Sequence, residues 1–290
     1  MRRKKITVDG HSVTTYSEGS GDDVLLVLHG GPGAPCSYVR DAHLRYAKEG
    51  FRVVSWDQLG CGESDRPDDR SLWQIPRFVE EVETVRTTLG LGKVYLLGNS
   101  WGGMLSTEYC LKYQDNVHCA VIGNIAFSMP LLQDGFRRVK QNLGDETVRM
   151  MALRESEGTT DHPEYKAAVD ILLYRHMCRM EEWPEAVASA FDKDNFGRGP
   201  ATAMFGPHLF NCTGNLRDWD RNDDLHRITI PVMLTSGEHD YVLPEFVNMA
   251  ADYFPDVEYV MCRGAGHMPF WETPDVYHPR VSAFLNKHRK

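Results

Sequence analysis

The chain has no C-x-x-C pair, no long apolar run, no excess of basic charge and no internal repeat or low-complexity tract. Its seven cysteines are scattered and odd in number, which argues against a disulfide framework and fits reduced thiols in a cytoplasm-like compartment. No stretch approaches the roughly 20 apolar residues that span a bilayer. The basic start Met1-Arg2-Arg3-Lys4-Lys5 is like the head of a signal peptide, but Ile6-Thr7-Val8-Asp9-Gly10 supplies no apolar core for one. A formal net charge of −9 argues against nucleic acid or an anionic membrane as a partner, since both attract basic surfaces. Twelve histidines carry no H-E-x-x-H, and His208, His226, His239 and His267 share no ligand spacing on one element, so no metal is expected. No G-x-x-x-x-G-K-[ST] occurs, and Gly30-Gly31-Pro32-Gly33 puts a proline where a phosphate loop needs an N–H donor. What is left is an ordinary globular composition, 290 residues with 42% hydrophobic and 25% charged, and no expected cofactor.

Strand and helix patterns alternate in the first part of the chain. Ile6 to Val8 and Val13 to Tyr16 flank Asp9-Gly10 and read as a hairpin. Apolar runs follow at Val24–Leu28, Phe51–Trp56, Val94–Leu97 and Cys119–Ile122, with Phe78, Val82, Val85 and Leu89 marking one helix face between the second and third. Such alternation implies a mostly parallel sheet covered on both faces. From about Ser128 to Asp224 no convincing strand is found. The clearest helix there starts at Pro163, with Tyr165, Val169, Leu172, Leu173, His176, Met177 and Met180 on one face. The expected division is a core of 1–127 and 225–290, with 128–224 as a helical cap over the active site.

Three segments carry chemistry. Gly98-Asn99-Ser100-Trp101-Gly102 lies between the run Val94-Tyr95-Leu96-Leu97 and a helix-like stretch, the setting in which G-x-S-x-G presents a nucleophilic serine on a sharp turn. His29-Gly30-Gly31-Pro32-Gly33 follows the Val24–Leu28 run, where a loop N–H can join that of the residue after the nucleophile to hold an oxyanion. Gly31 and Trp101 are the expected donors. Farther on, Gly237-Glu238-His239-Asp240 and Gly264-Ala265-Gly266-His267 each follow a strand-like run. The order Ser, Asp, His is that of the α/β-hydrolase arrangement. Ser100 is the expected nucleophile, His267 the general base and acid, and Asp240 the group that orients the imidazole. Asp57 is the competing acid. Phe127, Phe270 and Trp271 are further candidates for pocket walls.

With Trp56-Asp57-Gln58-Leu59-Gly60-Cys61-Gly62-Glu63-Ser64 added, these motifs make the chain resemble the proline iminopeptidases and related amino-acid amidases over nearly its whole length. The resemblance implies a cofactor-free serine hydrolase that releases an amino-terminal residue or cleaves a small amino-acid amide. One departure bears on substrate. In the best-studied members that this chain resembles, two glutamates bind the substrate ammonium, one in the cap shortly after a Gly-Pro and one directly after the catalytic aspartate. The matching positions here are Leu209 and Tyr241, neither of which carries a negative charge near neutral pH. Glu238 and Glu272 are the nearest candidates to compensate.

The resulting expectation is an α/β-hydrolase fold, with a mostly parallel central sheet and a helical cap inserted before the last strands. The partner is a small molecule or short peptide. The leading substrate class is a small amide, and an esterase or lactonase is the main rival. A non-catalytic binding protein on the same fold is the third possibility.

Overall fold

The structure is a computed structural model and describes residues 1–289. Lys290, the last residue of the expected core range, lies outside them. Arg2–Val8 (β1) and His11–Glu18 (β2) form the expected hairpin. Asp9 and Gly10 both take left-handed backbone angles, φ of 48° and 80°, which match the twist of a tight two-residue turn. The basic start is the exposed half of β1, at the edge of the sheet. Charged side chains on an edge discourage pairing with another chain.

Val24–Leu28 (β3), Arg52–Asp57 (β4), Val94–Asn99 (β5), Val117–Gly123 (β6), Val232–Gly237 (β7) and Val257–Cys262 (β8) complete an eight-stranded sheet in the order β1-β2-β4-β3-β5-β6-β7-β8. From β4 to β8 all pairings are parallel. Every residue of β3, β5 and β7 is buried, as expected of strands covered by helices on both faces. Ser37–His43 (α1), Ile75–Thr88 (α2) and Trp101–Tyr113 (α3) are the first three α-helices. In α2 the apolar face is Phe78, Val79, Val82 and Val85, and Glu81 is buried beside it. That carboxylate accepts from Trp56 Nε1 at 2.8 Å and Leu59 N at 3.1 Å, and pairs with Arg77.

Chain order reverses between β3 and β5. The loops after these two strands therefore leave side by side at the carboxyl edge of the sheet, where sites form in open α/β sheets. Between β6 and β7 the chain makes Met129–Gln141 (α4), Asp145–Glu157 (α5), Pro163–Leu172 (α6) and several short turns, with no named strand among the described residues. The helix expected from Pro163 ends earlier than its pattern suggests. After α6 a π-turn, Leu173–Met177, inserts one extra residue per turn, so the buried positions run Tyr165, Ala168, Leu172 and Met177. Met177 thus points inward. His176 is only half-buried, and its Nδ1 meets the His239 carbonyl oxygen at 2.7 Å.

Candidate active site

Ser100 sits between β5 and α3 with φ 59° and ψ −128°, a backbone conformation few side-chain-bearing residues adopt. It is a strained strand-to-helix turn, the setting in which G-x-S-x-G projects its serine from the edge of a sheet. Close packing sets its neighbours: a Cβ on Gly102 would strike the Leu28 carbonyl, and one on Gly30 would come within 2.9 Å of Ser100 Cβ. The loop after β3 is thereby brought against the serine. Neither the Gly31 nor the Trp101 backbone N–H has an acceptor within the described residues, and both residues line the cavity that Ser100 lines.

Asp240 and His267 come from the loops after β7 and β8 and are buried. His267 Nδ1 lies 2.9 and 3.0 Å from the two oxygens of Asp240, which also accept from Val242 N at 3.0 Å and Asn124 Nδ2 at 2.7 Å. A buried carboxylate with this set of donors fixes the proton on Nδ1 and leaves Nε2 as the acceptor. Nε2 is buried and has no hydrogen bond within the protein, and His267 lines the cavity with Ser100. The His267 N–H donates to the carbonyls of His176 and Met177, at 2.9 and 3.1 Å. The π-turn of the helical insertion is thus bonded directly to the histidine loop.

One connection had no signal in the sequence beyond its residue types. Gly30 N–H donates to Tyr38 Oη (2.7 Å), Tyr38 to Asn99 Oδ1 (3.0 Å), Asn99 to Asn124 Oδ1 (3.2 Å), and Asn124 to Asp240. Every donor in this buried series points toward the carboxylate, so each bond polarises the next. It ties the loop carrying Gly31 to the carboxylate that is hydrogen-bonded to His267. Asp57 is elsewhere. It accepts from Cys36 N (2.8 Å), Glu63 N (3.0 Å) and Tyr16 Oη (3.1 Å), and so holds the loop after β4 rather than the imidazole.

The cavity over Ser100 has a volume of about 240 Å³. The helical insertion supplies Leu132, Phe136, Met177, Phe205, Leu209 and Leu216 to its wall. Among the described residues no carboxylate, ammonium or guanidinium lines it. Leu209 and Tyr241 both line it. The Tyr241 ring stacks on His267, with centroids 4.3 Å apart, and its phenol has the Ser100 hydroxyl as a polar neighbour. Burial, then the nearby Asp240 charge, pushes that phenol well above the usual tyrosine range, so it stays protonated.

Three expected pocket walls, Phe127, Phe270 and Trp271, are corrected, since none of them lines the cavity. Asn124 and Phe127 turn with φ of 60° and 54°, and the Phe127 ring leaves the cavity to pack edge-on against Phe254 at 5.5 Å. Ile125 and Ala126 line the wall in its place. Trp271 is half-buried against the core outside the cavity and donates Nε1 to the Tyr38 carbonyl at 2.7 Å; Phe270 is buried against Tyr38 and His43. Nor does either compensating glutamate reach the cavity. Glu272 accepts from Gly266 N (2.8 Å), Arg179 N (2.8 Å) and Met268 N (2.9 Å), so it braces the two sides of His267. Glu238 accepts from Gly264 N at 2.8 Å and is exposed.

The family model of the α/β hydrolase fold matches residues 23–274, and the chain belongs to that family. Within it the chain is proline iminopeptidase-like. It is 33% identical over 278 residues to a proline iminopeptidase of Heyndrickxia coagulans, covering 95% of this chain and 94% of the relative. The crystal structure of the proline iminopeptidase of Mycobacterium smegmatis superposes with a TM-score of 0.90 at 30% identity, over 99% of this chain and 98% of the other. The crystal structure of VinJ superposes with a TM-score of 0.94 at 29% identity, over 99% of both chains.

Proposed function

We propose that this hydrolase acts through an acyl-enzyme on a small neutral substrate. Ser100 attacks the carbonyl, His267 takes its proton and returns it to the leaving group, and Asp240 holds the tautomer and stabilises the imidazolium. The N–H groups of Gly31 and Trp101 receive the developing oxyanion, and the segment 128–224 serves as the cap that shapes the acyl pocket. Likeness to the proline iminopeptidases supports amide cleavage as the first reaction to test.

The observation that carries the neutral-substrate reading is the uncharged lining of the cavity around Ser100. A free α-ammonium placed there leaves water without an anionic partner, a desolvation cost of several kcal/mol. The same lining favours a second reading, in which the substrate is an ester or lactone. Both readings are tested by one panel: aminoacyl anilides with a free amine, their N-acylated counterparts, short p-nitrophenyl esters and lactones. N-blocked anilides or esters should be turned over at least as well as free-amine anilides, and Ser100→Ala should abolish all turnover while keeping the fold. A strict requirement for a free amino terminus would overturn the neutral-substrate reading. Wild-type turnover by Ser100→Ala would overturn the mechanism.

A further inference from the structure

Gln58 follows β4 and does not line the cavity, yet it is buried and touches both segments that carry the oxyanion donors. Its Oε1 accepts from Trp101 Nε1 at 2.9 Å, and its Nε2 donates to the His29 carbonyl at 3.2 Å. Its backbone N–H donates to His29 Nε2 at 2.9 Å. That contact requires His29 Nε2 to be an acceptor, so the ring proton sits on Nδ1, 2.9 Å from the Gly30 carbonyl. Burial holds His29 below its ordinary range and keeps the ring neutral, as an accepting Nε2 demands. His29 precedes the Gly30-Gly31 pair, and Trp101 follows the nucleophile. A single side chain therefore spans the two arms of the oxyanion hole from behind.

We propose that Gln58 is a positioning residue that sets the separation and direction of the Gly31 and Trp101 N–H groups; the proposal rests on the oxyanion assignment above. Oxyanion donors stabilise the transition state only when aimed at where the charge will develop, so a displaced arm weakens that state more than the ground state. Only a carboxamide fits both contacts. Glutamate keeps an acceptor for the indole but has no donor for the His29 carbonyl. An apolar side chain leaves the indole N–H and that carbonyl without partners in a closed interior.

The test uses the full chain with p-nitrophenyl butyrate as reporter substrate and an alkyl trifluoromethyl ketone as mimic of the tetrahedral adduct. Gln58→Met keeps length and bulk and deletes both side-chain hydrogen bonds. Its kcat should fall by about 10- to 100-fold, less than the about 10²- to 10³-fold typical of deleting a donor outright. KM should stay within about threefold. Affinity for the ketone should fall by the same factor as kcat/KM, while inhibition by butan-1-ol, a neutral ligand with no oxyanion to stabilise, should not change. Trp101→Phe removes the same indole N–H from the other end, and the double variant should be no worse than Gln58→Met alone. Gln58→Met with wild-type kcat and ketone affinity overturns the proposal, as does equal weakening of ketone and butan-1-ol. If Gln58→Met does not fold, Trp101→Phe decides: unchanged ketone affinity overturns the clamp. Turnover surviving in Ser100→Ala would instead overturn the reaction assignment itself. An inactive Ser100→Ala beside unaffected Gln58 and Trp101 variants overturns the clamp alone.

Discussion

At the scale of single residues, the site depends on which buried carboxylate faces the imidazole. Asp57 ends β4 and Asp240 lies in the loop after β7; both are buried, and both accept several hydrogen bonds. Their partners differ in kind. Asp240 holds a ring nitrogen of His267, whereas Asp57 holds the backbone N–H groups of Cys36 and Glu63 and the Tyr16 hydroxyl. Asp240→Asn should therefore lose on the order of 10⁴ in kcat through the wrong tautomer, with little change in unfolding midpoint. Asp57→Asn should do the reverse, losing about 1–3 kcal/mol of stability with a modest effect on kcat in the folded protein. Paired kinetics and urea melts check both, and a severe kcat loss confined to Asp57→Asn would reverse the assignment. The residues of the proposed triad were legible because each falls just after an apolar run, in one order along the chain. Tyr38, Asn99 and Asn124 were not. An asparagine or tyrosine that bonds another buried side chain has no spacing to announce it, since its partner lies on a different strand.

At the scale of elements, strands were easier to read than the insertion. β3 matches its apolar run at both ends, because a strand buried on both faces has nothing polar inside it. The insertion reads as helical but not in detail, since the π-turn at Leu173–Met177 shifts the inward face by one residue. A 3.6-residue period cannot show that shift. The turn matters because its last two carbonyls hold the His267 N–H, and Met177 lines the cavity. The element facing the substrate should therefore govern preference without entering the chemistry. Leu209 offers a direct test: it lines the cavity while 37% exposed, so replacing it disturbs packing little. Leu209→Ala should shift the kcat/KM ratio of hexanoyl to acetyl p-nitrophenyl esters by about tenfold, within the 10–200-fold typical of small changes in an apolar pocket. Labelling of Ser100 by a small fluorophosphonate should change less than threefold. An unchanged ester ratio would show that the acyl group does not reach this wall.

For the molecule as a whole, the active-site loops rest on a buried aromatic and histidine cluster that joins the first part of the chain to the last helix, Pro274–Lys287. His43 Nδ1 donates to the Val39 carbonyl at 2.6 Å, so its Nε2 accepts from Tyr277 Oη at 3.0 Å. His278 takes the other tautomer: Nε2 faces the Phe270 carbonyl at 3.2 Å, and Nδ1 accepts from Tyr46 Oη at 3.0 Å. Each ring uses both nitrogens while neutral and has no carboxylate in its hydrogen bonds. Burial lowers His43 to about 3 and His278 to about 4. In the unfolded chain both take up a proton near pH 6.5. The unfolded state thus binds more protons than the folded state between those values, and stability falls as pH falls. The contribution is fully present above about pH 6.5 and drains away toward pH 4 and below, at up to about 1.4 kcal/mol per pH unit for each histidine. His43→Gln should be less stable than wild type at pH 7.5, having lost one neutral hydrogen-bond network. Its free energy of unfolding should, however, decline less steeply on acidification. The gap between the two proteins should narrow by about 2–3 kcal/mol between pH 6.5 and 4.5 in urea titrations, two pH units of the slope of one histidine. A gap that stays constant over that range would mean that His43 is protonated in the folded protein as readily as in the unfolded one, which its two hydrogen bonds and complete burial oppose.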